Sequence, residues 1–168
     1  MTEHDAPRST PSTGLDPSEL AAARLFAGLD GPTLAQLAAT AHRRHVADGA
    51  DLYVTGEPAA SLFLVERGHV ALRATEGGHS TIVMTAGPGE VLGWSALRPE
   101  ARWMTTGRAV GAVEAVELPA AVVFDLATSG SEAGRRLTAR LLELAAQHLH
   151  ETQAQLLRSG REGTITAG

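Results

Sequence analysis

The fold of this chain is decided by residues 89–97, which read Gly-Glu-Val-Leu-Gly-Trp-Ser-Ala-Leu. A glycine turn here leads into a short apolar segment, and Arg102, Trp103, Thr105 and Thr106 follow a few residues later. Free backbone N–H groups at a helix N-terminus, together with a nearby arginine, are a common way for proteins to hold a phosphate group. The stretch therefore predicts a turn and a short helix, which we call the cassette (residues 89–97).

Short apolar runs bounded by glycines precede the cassette. Apolar and polar residues alternate between residues 49 and 72, and Glu76-Gly77-Gly78 supplies a tight turn. Glycines at such boundaries suit strands that are joined by turns with positive φ. We therefore expect a mainly β fold in which short strands over about residues 42–118 form a double-stranded β-roll or jelly roll. The closing strands are expected at residues 108–113 and 114–118.

Helices are predicted on both sides of the roll. Asp16 and Asp30 are suited to cap two short helices before the strands, because aspartate accepts hydrogen bonds from the free N–H groups of a first turn. A short helix is predicted at residues 120–126, after the last strand. A long helix is then predicted from about residue 131 to residue 158.

The long helix carries two apolar stripes. The first consists of three leucines that are expected to pack on the roll: Leu137, Leu141 and Leu144. The second has the alternating four- and three-residue spacing of a coiled-coil seam. The positions with this spacing are Thr138, Leu142, Ala145, Leu149, Thr152 and Leu156, and the apolar ones, Leu142, Ala145, Leu149 and Leu156, are the expected dimer seam. A helix that is apolar on two adjacent faces needs two partners, so we expect this one to pack on its own domain and on something else.

Composition excludes several classes of function. The chain has 168 residues and no cysteine, which excludes disulfides, thiolate metal sites and cysteine nucleophiles. Its net charge is −5 and its arginines are scattered, so a nucleic-acid-binding surface is not indicated. No apolar run is long enough to span a bilayer, and we expect a cytoplasmic protein. Residues 1–15 and 160–168 are expected to be flexible tails, which leaves 16–159 as the domain.

A metal-dependent enzyme of the cupin type is the competing interpretation of a roll. Cupins need a His-x-His pair on an early strand and a later histidine beyond a Pro-Gly turn. Here the turn is present at Gly87-Pro88-Gly89, but residues 92–95 after it contain no histidine, and the pair His148-Leu149-His150 falls on the long helix. Neither a metal site nor an enzyme is therefore expected.

The glycine pattern resembles that of the cyclic-nucleotide-binding domain family, the sensor module of catabolite-activator-type regulators and of kinase regulatory subunits. In that family a glycine opens the second strand, another closes it before an acidic residue, a Leu-Phe strand ends in Gly-x-Val, and a Pro-Gly turn leads to the phosphate-binding cassette. The matching positions are Gly49, Gly56, Glu57, Leu62, Phe63, Gly68, Val70, Gly89 and Gly93. The resemblance covers about residues 25–157. It implies a cyclic nucleotide as ligand and a parallel homodimer that pairs through the long helix.

One position departs from the family pattern. Members that bind cyclic nucleotide usually carry a glutamate after the cassette glycine, where it accepts hydrogen bonds from the ribose hydroxyl, and here this residue is Trp94. The family arginine that pairs with the cyclic phosphate falls at Arg102 or, one residue along, at Trp103. By this resemblance the ligand-binding residues are Gly93, Trp94, Ser95, Ala96, Arg102, Trp103, Thr105 and Thr106. Standard binding of cyclic AMP is expected to be weak or missing.

Two function classes remain open. The first is a non-enzymatic regulatory module that binds a nucleotide or another small anionic ligand in a divergent cassette. The second is a ligand-free module that dimerises and regulates a protein partner. The chain ends soon after the long helix, so the helix-turn-helix domain of catabolite-activator-type regulators is not expected.

Overall fold

In the computed structural model, residues 15–162 are described, with side chains as far as Gln153 except those of Glu76 and Thr152. The expected tails lie outside these residues, apart from Leu15 and residues 160–162.

The chain begins with short helices that are capped as the sequence predicts. These are α1 (Pro17–Ala21), a 3₁₀ helix (Arg24–Phe26) and α2 (Gly31–Thr40). The Asp16 carboxylate accepts a hydrogen bond from the Ser18 N–H over 2.8 Å. The Asp30 carboxylate accepts one from the Thr33 N–H over 2.8 Å.

Six strands form one antiparallel sheet that is rolled on itself. They are β1 (His42–Val46), β2 (Asp51–Tyr53), β3 (Ser61–Glu76), β4 (His79–Ala86), β5 (Val91–Leu92) and β6 (Thr106–Pro119). Strand β6 pairs with β1, β2 and β3, and β3 also pairs with β4 and β5. The predicted turn at residues 77–78 joins β3 to β4. The expected β-roll with flanking helices is confirmed.

Two of the strands are longer than the sequence predicts. Glycines were expected to separate short strands, but β3 runs through Gly68 and β6 runs through Gly111, both with positive φ. The register between β3 and β6 shifts next to Gly68, where a Cβ would collide with the carbonyl oxygen of Ala112. Such a glycine makes a bulge that bends a strand without ending it. The expected closing strands at residues 108–113 and 114–118 are therefore one strand.

Helices α3 (Ala120–Thr128) and α4 (Glu132–Glu162) complete the fold. Both extend further than predicted, and α4 continues into residues 160–162, which were expected to belong to a tail. Helix α4 packs on α3 and on the 3₁₀ helix Arg24–Phe26.

The apolar interior has two parts. The helix-facing core lies between the helices and the outside of the roll, and its fully buried members include Leu20, Leu25, Phe26, Leu37, Leu62, Leu118 and Leu137. The roll core lies inside the roll, and its members include Tyr53, Phe63, Val65, Val70, Leu92, Trp103 and Val113. The partly buried Leu141 and Leu144 pack on the helix-facing core, which confirms the predicted first stripe of α4.

Candidate functional site

The cassette begins as a tight turn that strand β3 holds in place. The Gly89 N–H donates to the carbonyl of Val65 over 2.8 Å, and the Val65 N–H donates to the carbonyl of Glu90 over 3.0 Å. Gly93 has φ 90° and ψ 20°, and a Cβ there would lie 2.6 Å from the carbonyl oxygen of Ser61. Only glycine fits this left-handed and crowded position. The glycine turn that the sequence predicts is therefore present in the structure.

The helix after this turn is short. Trp94–Leu97 forms a 3₁₀ helix of four residues. The Ala96 N–H donates to the carbonyl of Gly93 over 2.9 Å, and the Arg98 N–H donates to the carbonyl of Ser95 over 3.1 Å. The N–H group of Ala96 is thus already bonded within the turn. The cassette offers fewer free N–H groups than the helix N-terminus that the sequence suggests.

A cleft of about 340 Å³ lies between the cassette, the roll and helix α4, and we call it the roll–helix cleft. Five of the predicted ligand-binding residues line it: Gly93, Trp94, Ser95, Trp103 and Thr105. Its other lining residues are Tyr53, Leu72, Met104, Ala145, His148 and Leu149. The lining among the described residues contains neither a carboxylate nor a guanidinium. The cleft is therefore mainly apolar, with a few hydroxyl groups and one imidazole.

Tyr53 and Trp103 form the floor of this cleft, and they cluster with Phe63 in the roll core. The ring centroids of Tyr53 and Trp103 lie 4.3 Å apart in a stacked arrangement, and Phe63 lies 5.7 Å from Tyr53 and 6.1 Å from Trp103. Burial raises the pKa of the Tyr53 phenol, and a hydrogen bond with Thr105 opposes this rise. The phenol is therefore neutral at physiological pH and keeps its hydroxyl hydrogen.

Trp94 stands between the roll–helix cleft and a smaller cavity of about 60 Å³. Charged residues contribute to the lining of the smaller cavity, namely Arg24, Glu90 and Glu151. The indole N–H of Trp94 is buried and has no hydrogen-bond acceptor among the described residues. An unsatisfied buried donor costs stability. Trp94 therefore contains a buried donor whose hydrogen bond is not made by any described residue.

Arg102 does not line the cleft. Its guanidinium is exposed and donates to the carbonyl of Gly56 over 2.6 Å. Trp103, the next residue, is only 6% exposed and faces the roll core. Successive residues of an extended chain point to opposite sides, so an inward Trp103 turns Arg102 outward. Of the two positions to which the sequence assigned the family arginine, the inward one is occupied by an indole.

Ala96 and Thr106 also lie away from the cleft. Ala96 lines a groove on the other side of the 3₁₀ helix, beside Phe124 of α3. The Thr106 hydroxyl accepts a hydrogen bond from the Thr55 N–H over 3.1 Å. Both threonines were predicted to bind the ligand, but only Thr105 lines the cleft.

The second stripe of α4 is exposed in the single chain. Leu142 is 67% exposed and Leu149 is 60% exposed, and Ala145 between them is exposed as well. The side chain of Leu156 lies outside the described residues. Ala145 and Leu149 also line the roll–helix cleft, so the predicted dimer seam and the cleft share residues.

Sequence reasoning missed four residues of the cleft: Tyr53, Leu72, Met104 and His148. A signal existed for His148, because it lies one turn after Leu144 on the face of α4 that was expected to pack on the roll. No signal existed for Tyr53, since its approach to Trp103 depends on how the roll closes.

No group of three or more His, Asp or Glu side chains within residues 15–162 is placed to hold a metal ion. In the same residues, we find no helix with the length and apolar character that crossing a membrane requires.

Comparison with known proteins identifies relatives of this domain. The sequence model of the cyclic nucleotide-binding domain family matches residues 43–129, which is more than half of the chain. A search of curated protein sequences finds no match.

Solved structures give a consistent result. A cyclic nucleotide-binding domain from Methylobacillus flagellatus superposes with a TM-score of 0.70 at 16% identity, over 80% of this chain and 76% of that one. The catabolite activator protein of Thermus thermophilus has a TM-score of 0.64 at 25% identity, over 82% of this chain and 63% of that one. A cAMP-binding acyltransferase from Mycobacterium smegmatis has a TM-score of 0.67 at 24% identity, over 80% of this chain but only 41% of that one.

Proposed function

The chain belongs to the cyclic nucleotide-binding domain family, and we propose that it is a non-enzymatic, cytoplasmic regulatory module whose roll–helix cleft receives a small ligand. The observation that carries this proposal is the position of the cleft. It lies between the cassette and helix α4, the two elements through which a bound molecule can affect the rest of the module.

A ligand in this cleft would contact both of these elements at once. Gly93, Trp94 and Ser95 approach from the cassette, and Ala145 and His148 approach from α4. A ligand shifts a conformational equilibrium only through contacts that differ between the two states. Since the ligand would bridge two separate elements, it would favour the arrangement in which α4 lies closest to the cassette.

The cleft does not offer the contacts through which family members usually hold the ribose and the phosphate of a cyclic nucleotide. Trp94 stands where the family glutamate would accept bonds from the ribose, and Arg102 is turned toward Gly56. A buried phosphate without a charged partner is strongly unfavourable. We therefore expect calorimetry to find no binding of cyclic AMP at micromolar concentrations, and we expect Arg102→Ala to leave any binding in the cleft unchanged.

Helix α4 is proposed to pair with α4 of a second copy in parallel. The exposed Leu142 and Leu149 and the small Ala145 between them support this pairing, because a seam of large and small apolar residues packs well between two helices. Leu156 would extend the seam by a further turn. The cleft would then lie beside the pairing surface, so that binding and pairing influence each other.

The ligand site can be tested by filling the cleft. Ser95→Phe places a ring in the cleft, and Ser80→Phe places the same ring on the exposed strand β4 as a control. A thermal-shift panel of cyclic nucleotides, nucleosides and other small metabolites is applied to both variants and to the unmodified chain. A ligand at about a hundred times its dissociation constant adds about 2.7 kcal/mol of stability. We expect hits that Ser80→Phe keeps and Ser95→Phe loses.

The alternative is a ligand-free module that binds a protein partner or its own copy. The exposure of Leu142, Leu149 and Met104, which is 75% exposed, favours this alternative. A panel without hits, or with hits that Ser95→Phe keeps, would support it and would contradict the ligand site.

Parallel pairing can be tested with an introduced cysteine, because the chain has none of its own. Leu142→Cys places one thiol on the seam, and mild oxidation should link two chains through it. Glu143→Cys places the thiol one residue away, on an exposed part of the helix outside the seam, and should not form this link. Equal crosslinking of both variants would contradict a defined parallel seam.

A further inference from the structure

We infer that the roll–helix cleft selects an uncharged planar ring compound and excludes phosphate esters. This inference rests on the proposed function, since it names the class of ligand that the cleft receives. It departs from the small anionic ligand that the sequence suggests.

The charges around the cleft disfavour an anion. Neither a guanidinium nor a carboxylate belongs to its described lining, in which His148 is the one imidazole. Arg102 is held outside by the carbonyl of Gly56. The adjoining smaller cavity carries the carboxylates of Glu90 and Glu151 against one guanidinium, that of Arg24. An anion that enters the cleft would lose its hydration without gaining a charged partner, which is unfavourable.

The floor and walls of the cleft favour a flat ring. Tyr53 and Trp103 are stacked in the floor, and Trp94 forms part of the wall. Aromatic rings attract other rings in offset-stacked or edge-to-face arrangements. Leu72 and Met104 add apolar surface beside them. A volume of about 340 Å³ is at the small end of the range of ligand pockets, which suits a molecule of one or two fused rings.

The polar groups of the cleft favour a ring that carries hydrogen-bond acceptors. The hydroxyl groups of Tyr53, Ser95 and Thr105 belong to the lining of the cleft, and each can donate as well as accept. Ring nitrogens or carbonyl oxygens of an uncharged heterocycle would accept hydrogen bonds from these hydroxyl groups. A few such groups in an apolar pocket commonly fix the orientation of a ligand.

The test compares two probes that differ only in charge and in the phosphate ring. Adenosine and 3′,5′-cyclic AMP share the same base and the same sugar, and calorimetry measures the affinity of each for the full chain. We expect adenosine to bind at least tenfold more tightly than cyclic AMP, and we expect its affinity to be the same at low and high salt. Ser95→Phe should remove this binding and Ser80→Phe should keep it.

A second variant tests the hydroxyl donors. Ser95→Ala removes one hydroxyl group from the lining of the cleft, and we expect it to weaken adenosine binding by about fivefold, as for the loss of one hydrogen bond. A variant that binds adenosine as well as the unmodified chain would show that this hydroxyl does not meet the ligand, which would contradict the polar contacts inferred here.

The outcomes separate the inference from the proposed function. If cyclic AMP binds more tightly than adenosine, or if binding falls steeply with salt, the cleft is an anion site and the inference is wrong. The proposed function then stands, provided that Ser95→Phe removes that binding. If neither probe binds at millimolar concentration, the inference is overturned, and the metabolite panel decides independently whether a ligand site exists.

Discussion

Helix α4 presents two leucine stripes whose environments are opposite. Leu137 is fully buried, and Leu141 and Leu144 pack beside it on the helix-facing core. Leu142 and Leu149, on the neighbouring face of the same helix, are more than half exposed. Both stripes consist of leucines on the same helix, so residue type does not distinguish them. They differ because other parts of this chain cover the first stripe and leave the second stripe exposed.

The difference separates the part of the helix that serves the fold from the part that is left exposed and is proposed to pair. A buried leucine stabilises the single chain whatever its concentration. An exposed stripe stabilises the chain only when a second molecule covers it, so its contribution must depend on concentration. The predictions below test this contrast, beginning with the largest expected effect.

The largest effect is expected at the buried stripe. Leu137→Ala removes a side chain with no exposed surface and leaves a cavity, and we expect it to lower the free energy of unfolding by about 2–5 kcal/mol. Chemical denaturation should show this loss at every protein concentration. Leu142→Ala is the matched control and should change stability by less than about 0.5 kcal/mol in dilute protein, with a loss that grows as the concentration rises. Equal losses at both positions would contradict the contrast.

The next effect is expected at the exposed stripe. Leu142→Glu combined with Leu149→Glu places like charges face to face across the proposed seam, and we expect the dimer to dissociate at least about a hundredfold more readily. Sedimentation of the variant should show monomers at tens of micromolar. Ala139→Glu combined with Ala146→Glu introduces the same charges at the same spacing beside the seam and should remain dimeric. An unmodified chain that is monomeric at this concentration would remove the dimer from the proposal.

A smaller effect is expected where α4 crosses α3. Gly134 is buried, and a Cβ there would collide with the carbonyl oxygen of Leu126 and lie 2.7 Å from the Ser129 hydroxyl. Gly134→Ala should push α4 away from α3 and lower the free energy of unfolding by about 1–3 kcal/mol, as overpacking does. Gly31→Ala is the control, because a Cβ at Gly31 meets no atom within 4 Å. Thermal unfolding in which both variants behave alike would show that the crossing tolerates a methyl group.

The smallest effect is expected on the solvated face of α4. Glu132 and Arg136 form an ion pair of 2.6 Å one turn apart, but their side chains are 71% and 56% exposed. Exposed pairs of this kind contribute about 0.3–0.5 kcal/mol. Glu132→Gln should therefore lower the free energy of unfolding by no more than this, and high salt should remove the difference. A loss above 1 kcal/mol would mean that this face is also part of an interface.

The sequence predicts the fold well because many local signals agree. Asp16 and Asp30 cap helices where the pattern places them, and Gly77 and Gly78 make the hairpin turn. The strand boundaries were less accurate at Gly68. A glycine with positive φ can end a strand or bend it, and only the pairing of β3 with β6 decides between the two.

The candidate site was predicted less completely than the fold. The cassette glycine Gly93 and its neighbour Trp94 were found from local pattern, and both line the cleft. Which of Arg102 and Trp103 faces inward could not be read from the sequence, because the stacking of Trp103 on Tyr53 joins two distant segments. The contribution of His148 likewise depends on where α4 lies against the roll.

The pairing of β3 with β6 also governs how this protein reaches its folded state. These two long strands join partners that are far apart in the chain, such as Ser61 with Pro119. Closing a loop of this size costs chain entropy before most of the stabilising contacts can form. Chains with such distant pairings therefore fold in milliseconds to seconds. The helices can form early, because the hydrogen bonds of their caps and turns join residues that are close together in the chain. Refolding experiments should therefore show helical signal before the tryptophan fluorescence reaches its native value, since Trp103 becomes buried only when the roll closes.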